Sequence, residues 1–345
     1  MSAALVTTNP ASPNAVPQAD ALLEIRHLSK SFAENRNMLQ FASGRPARVL
    51  QAVRDVSLSV RPGETLGVVG ESGCGKSTLG RCIAGLYEPS AGDVLWQGRP
   101  LSAIGNRRAA SRQIQMIFQD PYSSLNPRMT LQQTLSEALK AHGLGGSGKQ
   151  RIERVEELLL TVGLPPRLKD RLPHALSGGQ RQRVSIARAL ALEPRLIVAD
   201  EPVSALDASV QAQIINLFEE LRDKFGIAFI FIAHDLNVVR HISHRIAVMY
   251  LGEVVELAEA DALFETPRHP YTKALLSAIP WPDPEHRVTS TGLEGELPDP
   301  LNPPAGCSFS TRCCWVEAAC QAQHPTLDTF DPGHLVRCRR MREIN

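Results

Sequence analysis

The chain has 345 residues, of which 43% are hydrophobic and 21% are charged, so it is long and apolar enough for two or three domains. Its net charge of +1, without a long basic run, argues against nucleic acid as the main partner. No apolar stretch approaches the ~20 residues that a transmembrane helix needs, so we expect a cytosolic chain that does not itself cross a membrane.

The first predicted elements are strands. Residues 1–21 contain Pro, Ala, Ser and Asn but neither Lys nor Arg, which predicts a disordered N-terminal tail rather than a signal peptide. The patterns of Leu22–Phe32 and Val49–Val60 predict two strands, with an irregular segment between them at 33–47.

A glycine-rich loop follows, with the pattern G-x-x-x-x-G-K-S between a predicted strand and a predicted helix. Such a loop wraps its N–H groups around phosphates, and the helix N-terminus adds its positive end. Lys76 is expected to reach the β- and γ-phosphates, and the Ser77 hydroxyl is expected to ligate Mg²⁺. The sequence therefore predicts a nucleoside triphosphate site made by Gly70, Ser72, Gly73, Gly75, Lys76, Ser77 and Thr78.

The helical periodicity of 120–175 predicts a helical insertion in an α/β domain. The predicted helices are Leu131–Ala141, Arg151–Val162, Leu176–Leu192 and Val210–Phe225. The predicted strands after the loop are Val94–Trp96, Gln113–Phe118, Leu196–Ala199, Ile227–Ala233 and a last one at Ile246–Val255. A Pro-rich stretch at 280–304 then separates a small C-terminal segment.

Two carboxylates end an apolar strand downstream of the loop. Asp200 is expected to hold Mg²⁺, directly or through water, and Glu201 is placed to polarise the attacking water. His234 follows another predicted strand, where it could contact the γ-phosphate or orient the water. Because a single His or Gln after a strand is usually structural, the roles of His234 and Gln119 depend on the other motifs.

A second anion cradle is predicted at Leu176–Gln180, where a helix begins with a Ser and two glycines about 100 residues after the first cradle. One mononucleotide bound to a single chain needs only one cradle. Together with Ser204–Asp207 and the motifs above, this segment resembles the ATPase subunits of ABC transporters. The resemblance covers residues 22–280.

The resemblance implies an α/β fold: a RecA-like core, an antiparallel β subdomain and a helical subdomain at 120–175, all within an ABC ATPase domain at 22–265. It also implies that two such domains pack head to tail around ATP. Ser177, Gly178, Gly179 and Gln180 would then serve the ATP of the partner, and Asp207 would lie at the dimer seam. Gln119 would contact Mg²⁺. Phe32 would either stack on adenine or be a core aromatic residue.

A narrower resemblance concerns the cargo. The segments 117–127, His269–Leu276 and 306–338 are similar to those of dipeptide and oligopeptide importer ATPases. This implies an ATP-hydrolysing subunit for peptide import, although glutathione and nickel importers share these features. The implied partners are a second, homologous ATPase subunit in a heterodimer (a second copy stays open), two membrane-spanning permease subunits and an extracytoplasmic substrate-binding protein. The chain would then lie at the cytoplasmic face of the cell (inner) membrane.

Two other classes of protein stay as alternatives. A soluble ABC ATPase of translation or DNA repair would call for two cassettes or coiled-coil arms, and the sequence has neither. A regulatory module that binds nucleotide without hydrolysis is disfavoured by the intact Glu201.

The last predicted site is a cysteine cluster in the extension at 266–345. Cys307, Cys313, Cys320 and Cys338 have five, six and seventeen residues between successive members. Four thiolates suit Zn²⁺ or a [4Fe–4S] cluster, but the paired C-x₂₋₄-C knuckles of zinc sites are absent. The resemblance favours iron–sulfur, with zinc and unligated thiols as alternatives. Cys314 stands where the subfamily usually has Pro and is a spare thiol or an alternative ligand.

Overall fold

The computed structural model describes residues 20–33, 48–104, 107–120, 124–278 and 295–344. The predicted tail (except its last two residues), nearly all of the irregular segment and most of the Pro-rich stretch lie outside these residues, as do positions 121–123 of the segment 117–127. None of the helices within the described ranges is both long and apolar enough to cross a bilayer.

Two sheets organise the described residues. Their strands in chain order are β1 (Leu23–Ala33), β2 (Val49–Val60), β3 (Thr65–Val69), β4 (Ala91–Trp96), β5 (Arg99–Pro100), β6 (Ile114–Ile117), β7 (Leu196–Asp200), β8 (Ala228–Ile232), β9 (Arg245–Tyr250), β10 (Glu253–Glu259), β11 (Asp328–Asp331) and β12 (His334–Val336). The smaller sheet has the order β2-β1-β4-β5 and is antiparallel. The larger sheet has the order β11-β12-β10-β9-β3-β8-β7-β6.

Helices cover the larger sheet and build the insertion. They are α1 (Lys76–Ile83), α2 (Arg107–Gln113), α3 (Leu131–Ala141), α4 (Gly148–Thr161), α5 (Gly178–Leu190), α6 (Ala208–Phe225), α7 (Leu236–Ile242), α8 (Ala260–Glu265), α9 (Pro270–Ser277) and α10 (Ala318–Ala322). The predicted fold class, an ABC-type α/β core with an antiparallel β subdomain and a helical insertion, is confirmed.

The central strands are parallel and mostly apolar. β3 lies between β8 and β9, and all residues of β3, β7 and β8 are buried. A strand covered on both faces needs a continuous apolar run, which is why its sequence does not alternate. The loops that follow these strands therefore meet at one edge of the sheet.

The predicted last strand, Ile246–Val255, is wrong as a single element. It is a hairpin of β9 and β10, and the turn residues Leu251 and Gly252 have positive φ values of 45° and 83°. Two consecutive residues with positive φ make the tight turn that joins antiparallel strands. Leu251 and Gly252 are not one of the pairs typical of such a turn, Asn-Gly or Asp-Gly, which is why the turn was not predicted.

The two helices of the insertion begin at matching caps. Thr130 and Gln133 form a capping box at α3, and Ser147 and Gln150 form one at α4. The cap at Ser147 starts α4 at Gly148, three residues before the predicted start. Both helices bury an apolar face, so the insertion has its own part of the core.

The C-terminal extension continues the larger sheet. β12 pairs with β10, and β11 pairs with β12, both antiparallel. Three rings then pack between the extension and the core: Tyr250 lies 4.7 Å from Tyr271 and 5.3 Å from Phe309, centroid to centroid. The sequence analysis missed β11 and β12, because strands of four and three residues show no clear alternation.

A buried polar junction fixes the start of α9. Glu256 is fully buried and accepts hydrogen bonds from the backbone N–H groups of Arg268 and His269, at 2.7 and 2.9 Å. Nδ1 of His269 accepts a hydrogen bond from the N–H of Tyr271, at 3.1 Å. Burial lowers the pKa of His269 to about 4, so this imidazole is neutral at pH 7.

This junction predicts a loss of stability in mild acid. The unfolded chain takes up a proton at its His269 below pH ~6.5, whereas the folded chain resists protonation until about pH 4, so stability falls as the pH falls through that window. Between pH 7.5 and 5.5, His269 should contribute a loss of about 1 kcal/mol. Unfolding in denaturant at both pH values should show a smaller pH effect for His269→Asn, which keeps a helix cap but cannot titrate there. An unchanged pH effect would contradict this assignment.

Candidate functional site

The phosphate loop, Gly70–Thr78, joins β3 to α1, and two of its glycines have no room for a side chain. Gly70 (φ 149°) would place a Cβ 2.2 Å from the carbonyl oxygen of Met249. Gly75 (φ 106°) would place one 2.1 Å from the carbonyl oxygen of Ala52. Only glycine allows these φ values together with such close approach. The loop is therefore packed closely against the backbone of two other strands, β9 at Met249 and β2 at Ala52.

The side chain of Lys76 folds back onto the start of its own loop. Its Nζ donates hydrogen bonds to the carbonyl oxygens of Gly70 and Glu71, at 2.7 and 2.9 Å, and the residue is 5% exposed. Both of these acceptors are neutral, so neither cancels the charge of the ammonium group. A buried cation held in this way suits an anionic ligand at the loop.

The two predicted Mg²⁺ ligands from different elements lie together. The hydroxyl of Ser77, at the start of α1, donates to Oδ1 of Asp200, at the end of β7, over 2.8 Å. Asp200 is 3% exposed, and burial raises its pKa. A carboxylate and a hydroxyl are the hard oxygen donors that Mg²⁺ takes, and a cation here would offset the burial of the carboxylate. The residues present therefore fit Mg²⁺.

Glu201 follows Asp200 but has a different environment. Its Oε2 accepts a hydrogen bond from Nε2 of Gln119 at 2.8 Å and lies 3.6 Å from Nδ1 of His234. Its φ is 48°, in the left-handed region, which costs a non-glycine residue about 1–2 kcal/mol. The strain points to a functional constraint on this side chain. The structure thus brings together the three predicted catalytic residues, Gln119, Glu201 and His234.

The phosphate loop and the three predicted catalytic residues open onto one cleft of about 400 Å³, whereas Gly70 and Asp200 do not line it. The predicted residues that line it are Phe32, Ser72, Gly73, Gly75, Lys76, Ser77, Thr78, Gln119, Glu201 and His234. The ring of Phe32 meets that of Tyr87 edge to face, with centroids 5.5 Å apart. The sequence analysis missed further lining residues, Leu50, Gln51, Ala52, Leu251 and Pro300, because none of them belongs to a recognisable motif.

The second predicted cradle lies apart from this cleft. Ser177 caps α5 in a capping box with Gln180. The backbone N–H of Gln180 donates to the hydroxyl of Ser177 at 3.3 Å, and the backbone N–H of Ser177 donates to Oε1 of Gln180 at 3.1 Å. Gly179 packs so closely that a Cβ would lie 2.4 Å from the side chain of Val210. None of Ser177, Gly178, Gly179 and Gln180 lines the cleft. Within one chain the two predicted halves of the ATP site are therefore not brought together.

Asp207 also lies outside the cleft, at the N-terminus of α6. Its Oδ1 accepts hydrogen bonds from the backbone N–H of Val210, at 3.0 Å, and from the hydroxyl of Ser209, at 2.7 Å. The backbone hydrogen bond from Val210 lowers the pKa of Asp207. This carboxylate is thus ionised and fixed as a helix cap at neutral pH.

The four predicted ligand cysteines share one narrow cavity in the extension. Cys307, Cys313, Cys320 and Cys338 all line it, whereas Cys314 is exposed and does not. Among the described side chains, no three His, Cys, Asp or Glu residues lie close enough together to hold a single metal ion. The side-chain positions therefore support neither the predicted iron–sulfur cluster nor the zinc alternative.

Two family models match the sequence in consecutive parts. Residues 53–204 match the family described as "ABC transporter", and residues 255–320 match "Oligopeptide/dipeptide transporter, C-terminal region". The first match contains the phosphate loop, Asp200 and Glu201. The second contains His269 and three of the four cysteines that line the cavity.

Curated relatives match over almost their whole length. The oligopeptide transport ATP-binding protein OppF of Escherichia coli is 50% identical over 95% of this chain and 99% of its own. The oligopeptide transport ATP-binding protein AppF of Bacillus subtilis is 48% identical over 92% and 97%.

Solved structures share the fold of the ATPase part. The structure of cbiO1 from Clostridium perfringens, part of an ABC transporter complex, has a TM-score of 0.59, is 28% identical and covers 72% of this chain and 92% of its own. A dimeric ATP-binding cassette in a post-hydrolysis state, bound to ADP and Pi, has a TM-score of 0.59, is 29% identical and covers 69% and 98%.

Proposed function

The chain belongs to the ATP-binding proteins of oligopeptide and dipeptide ABC transporters, and from this we propose that it hydrolyses ATP in the described cleft to drive peptide import. One observation supports the choice of site above others. The phosphate loop, the Ser77–Asp200 pair and Glu201 all meet at the carboxyl ends of β3 and β7, the two parallel strands on either side of β8. Ligands of open α/β sheets bind at that edge.

ATP binding is assigned to the phosphate loop. The N–H groups of Ser72, Gly73, Gly75 and Thr78 and the ammonium group of Lys76 would hold the phosphates. Phe32 would offer its ring to the adenine. Mg²⁺ would be held by Ser77 and Asp200, with Gln119 beside them, and would neutralise charge on the β- and γ-phosphates.

Hydrolysis is assigned to Glu201. Its carboxylate would accept a proton from the attacking water, and its two neighbours, Gln119 and His234, would orient that water or the carboxylate itself. The left-handed backbone at Glu201 aims consecutive carboxylates in different directions, one toward Ser77 and one toward the cleft.

The charge of Glu201 should be essential for turnover but not for binding. Glu201→Gln keeps the shape of the side chain, so ATP should bind normally while the ATPase rate falls by about 10² or more, the scale of lost general-base help. The matched control is Glu220→Gln, the same substitution at an exposed glutamate of α6, which should keep the wild-type ATPase rate. Near-normal ATPase activity in Glu201→Gln would remove Glu201 from this role.

A second ATPase subunit is proposed to complete the site. The start of α5 carries a serine cap and two glycines and lies outside the described cleft, so Ser177, Gly178, Gly179 and Gln180 would serve the ATP held by the other subunit. Asp207, exposed at the start of α6, would lie at the seam. Closure around ATP and opening after hydrolysis would move the helical insertion and drive transport.

This composite site predicts a separation of binding from closure. Ser177→Arg should leave ATP binding to the single chain intact but abolish ATP-driven association, because bulk is placed where the γ-phosphate must dock. Ser147→Arg is the matched control, since Ser147 caps α4 in the same kind of box and loses the same ~1 kcal/mol of capping. Equilibrium ATP binding and light-scattering mass would be measured for both. Loss of ATP binding by the isolated Ser177→Arg chain would refute the head-to-tail arrangement.

The remaining partners follow from the proposed importer. We propose a homologous second ATPase subunit (a heterodimer), two membrane-spanning permease subunits and an extracytoplasmic substrate-binding protein, with this chain peripheral at the cytoplasmic face of the cell (inner) membrane. Association of purified Glu201→Gln with itself in ATP would instead favour a second copy. The same role in a glutathione or nickel importer is the alternative cargo, and transport assays of the assembled complex would decide it.

A [4Fe–4S] cluster is proposed for the extension. Its support is that Cys307, Cys313, Cys320 and Cys338 line a common cavity, and four thiolates are the ligand set of such a cluster. Such a cluster would cross-link a segment with little apolar core of its own.

Anaerobic purification tests this assignment. The protein should be brown and contain about four irons and four sulfides per chain. Cys307→Ser should lose the colour, whereas Cys314→Ser, at the exposed neighbouring thiol, should keep it. Colourless protein that contains one zinc per chain would show that the site binds zinc and not a cluster. Protein that contains no metal would show that the four thiols are unligated.

A further inference from the structure

An arginine of the extension reaches the phosphate loop. The guanidinium of Arg312 donates two hydrogen bonds to the carboxylate of Glu71, Nη1 to Oε2 at 2.9 Å and Nη2 to Oε1 at 3.1 Å. The Arg312 side chain is 5% exposed and that of Glu71 is 24% exposed. A bidentate pair of this kind is stronger and geometrically more specific than a single hydrogen bond between neutral groups. It joins residues 241 positions apart, in the last part of the chain and in the loop.

Glu71 is held at its backbone as well. Its N–H donates to the hydroxyl of Tyr271 at 2.9 Å, and its carbonyl oxygen accepts from Nζ of Lys76 at 2.9 Å. Tyr271 is fully buried in the ring cluster with Tyr250. One loop residue is thus in contact with the extension through its side chain and its N–H, and with the loop lysine through its carbonyl group.

The charge of Glu71 is unfavourable for the proposed ligand. A carboxylate on a loop that binds a triphosphate repels that ligand, and the repulsion between charges within about 10 Å is only partly screened by salt. Pairing with a guanidinium cancels this negative charge and turns the carboxylate away from the cleft, whose lining does not include Glu71. The loop can therefore carry an acidic residue and still attract ATP.

We propose that Arg312 is a positioning residue for the ATP site, which neutralises Glu71 and holds the phosphate loop in its binding shape. The inference rests on the proposed ATP site and adds a dependence of that site on the C-terminal extension. Arg312 directly precedes Cys313, so the packing of the cysteine segment also places the guanidinium group. The extension also borders the ATP cleft directly, at Pro300.

The test compares two arginines that both join the core to the extension. Arg312→Gln should raise the dissociation constant and KM for MgATP about five- to tenfold, while kcat changes less than twofold, because the unpaired Glu71 repels the nucleotide in every bound state. Arg54→Gln is the matched control: Arg54 contacts Ser308 of the extension and Glu253, but not Glu71. It should leave both constants for ATP within twofold of wild type.

Two further variants separate charge from structure. Arg312→Lys keeps the charge and should keep most of the affinity. The double variant Glu71→Gln with Arg312→Gln removes both charges and should return the dissociation constant to within about twofold of wild type. Melting curves of the full-length variants show whether each one is folded.

The outcomes are distinct. Wild-type ATP binding by Arg312→Gln, equal losses in Arg312→Gln and Arg54→Gln, or a double variant as weak as Arg312→Gln would each overturn the role of Arg312 while the ATP site stands. A wild-type chain that neither binds nor hydrolyses ATP would overturn the proposed function itself, and the role of Arg312 with it.

Discussion

A loop that binds phosphate must point its N–H groups at the ligand and yet keep a fixed shape. The contacts that fix the shape of this loop are the constraint on which the rest of the structure depends. The backbone of the loop has few internal hydrogen bonds, so its shape has to come from its surroundings. Here the carbonyl oxygens of Ala52 and Met249 lie against the two crowded glycines. Lys76 ties the two ends of the loop together. The parallel strands β3, β8 and β9 hold the base of the loop rigid.

Two consecutive carboxylates at the carboxyl end of β7 lie in different environments. Asp200 ends β7 in regular extended backbone, is buried and pairs with a hydroxyl. Glu201 turns into the left-handed region and takes an amide and an imidazole as neighbours. Similar acids in different surroundings can serve as cation ligand and as base. The proposed division of labour thus rests on the different burial and hydrogen-bond partners of the two carboxylates.

The sequence was sufficient wherever one local pattern determines one structure. The phosphate loop, the apolar parallel strands and the amphipathic helices of the insertion all follow from spacing and periodicity, and each was found. Local patterns fail where a contact joins distant parts of the chain. Nothing near Arg312 indicates that it pairs with Glu71, and nothing near Pro300 indicates that it borders the cleft. The turn at Leu251 was missed because a β-hairpin there imposes a backbone conformation that Leu itself disfavours.

In the proposed arrangement, one ATP lies between the phosphate loop of one subunit and the start of α5 of another. A structure of the Glu201→Gln protein, with its partner subunit, ATP and Mg²⁺, tests it most directly. We expect the phosphates to contact Lys76 and Ser77 of one subunit and the helix start at Ser177, or its counterpart, of the other. A nucleotide enclosed by a single chain, or bound away from the phosphate loop, would contradict the account.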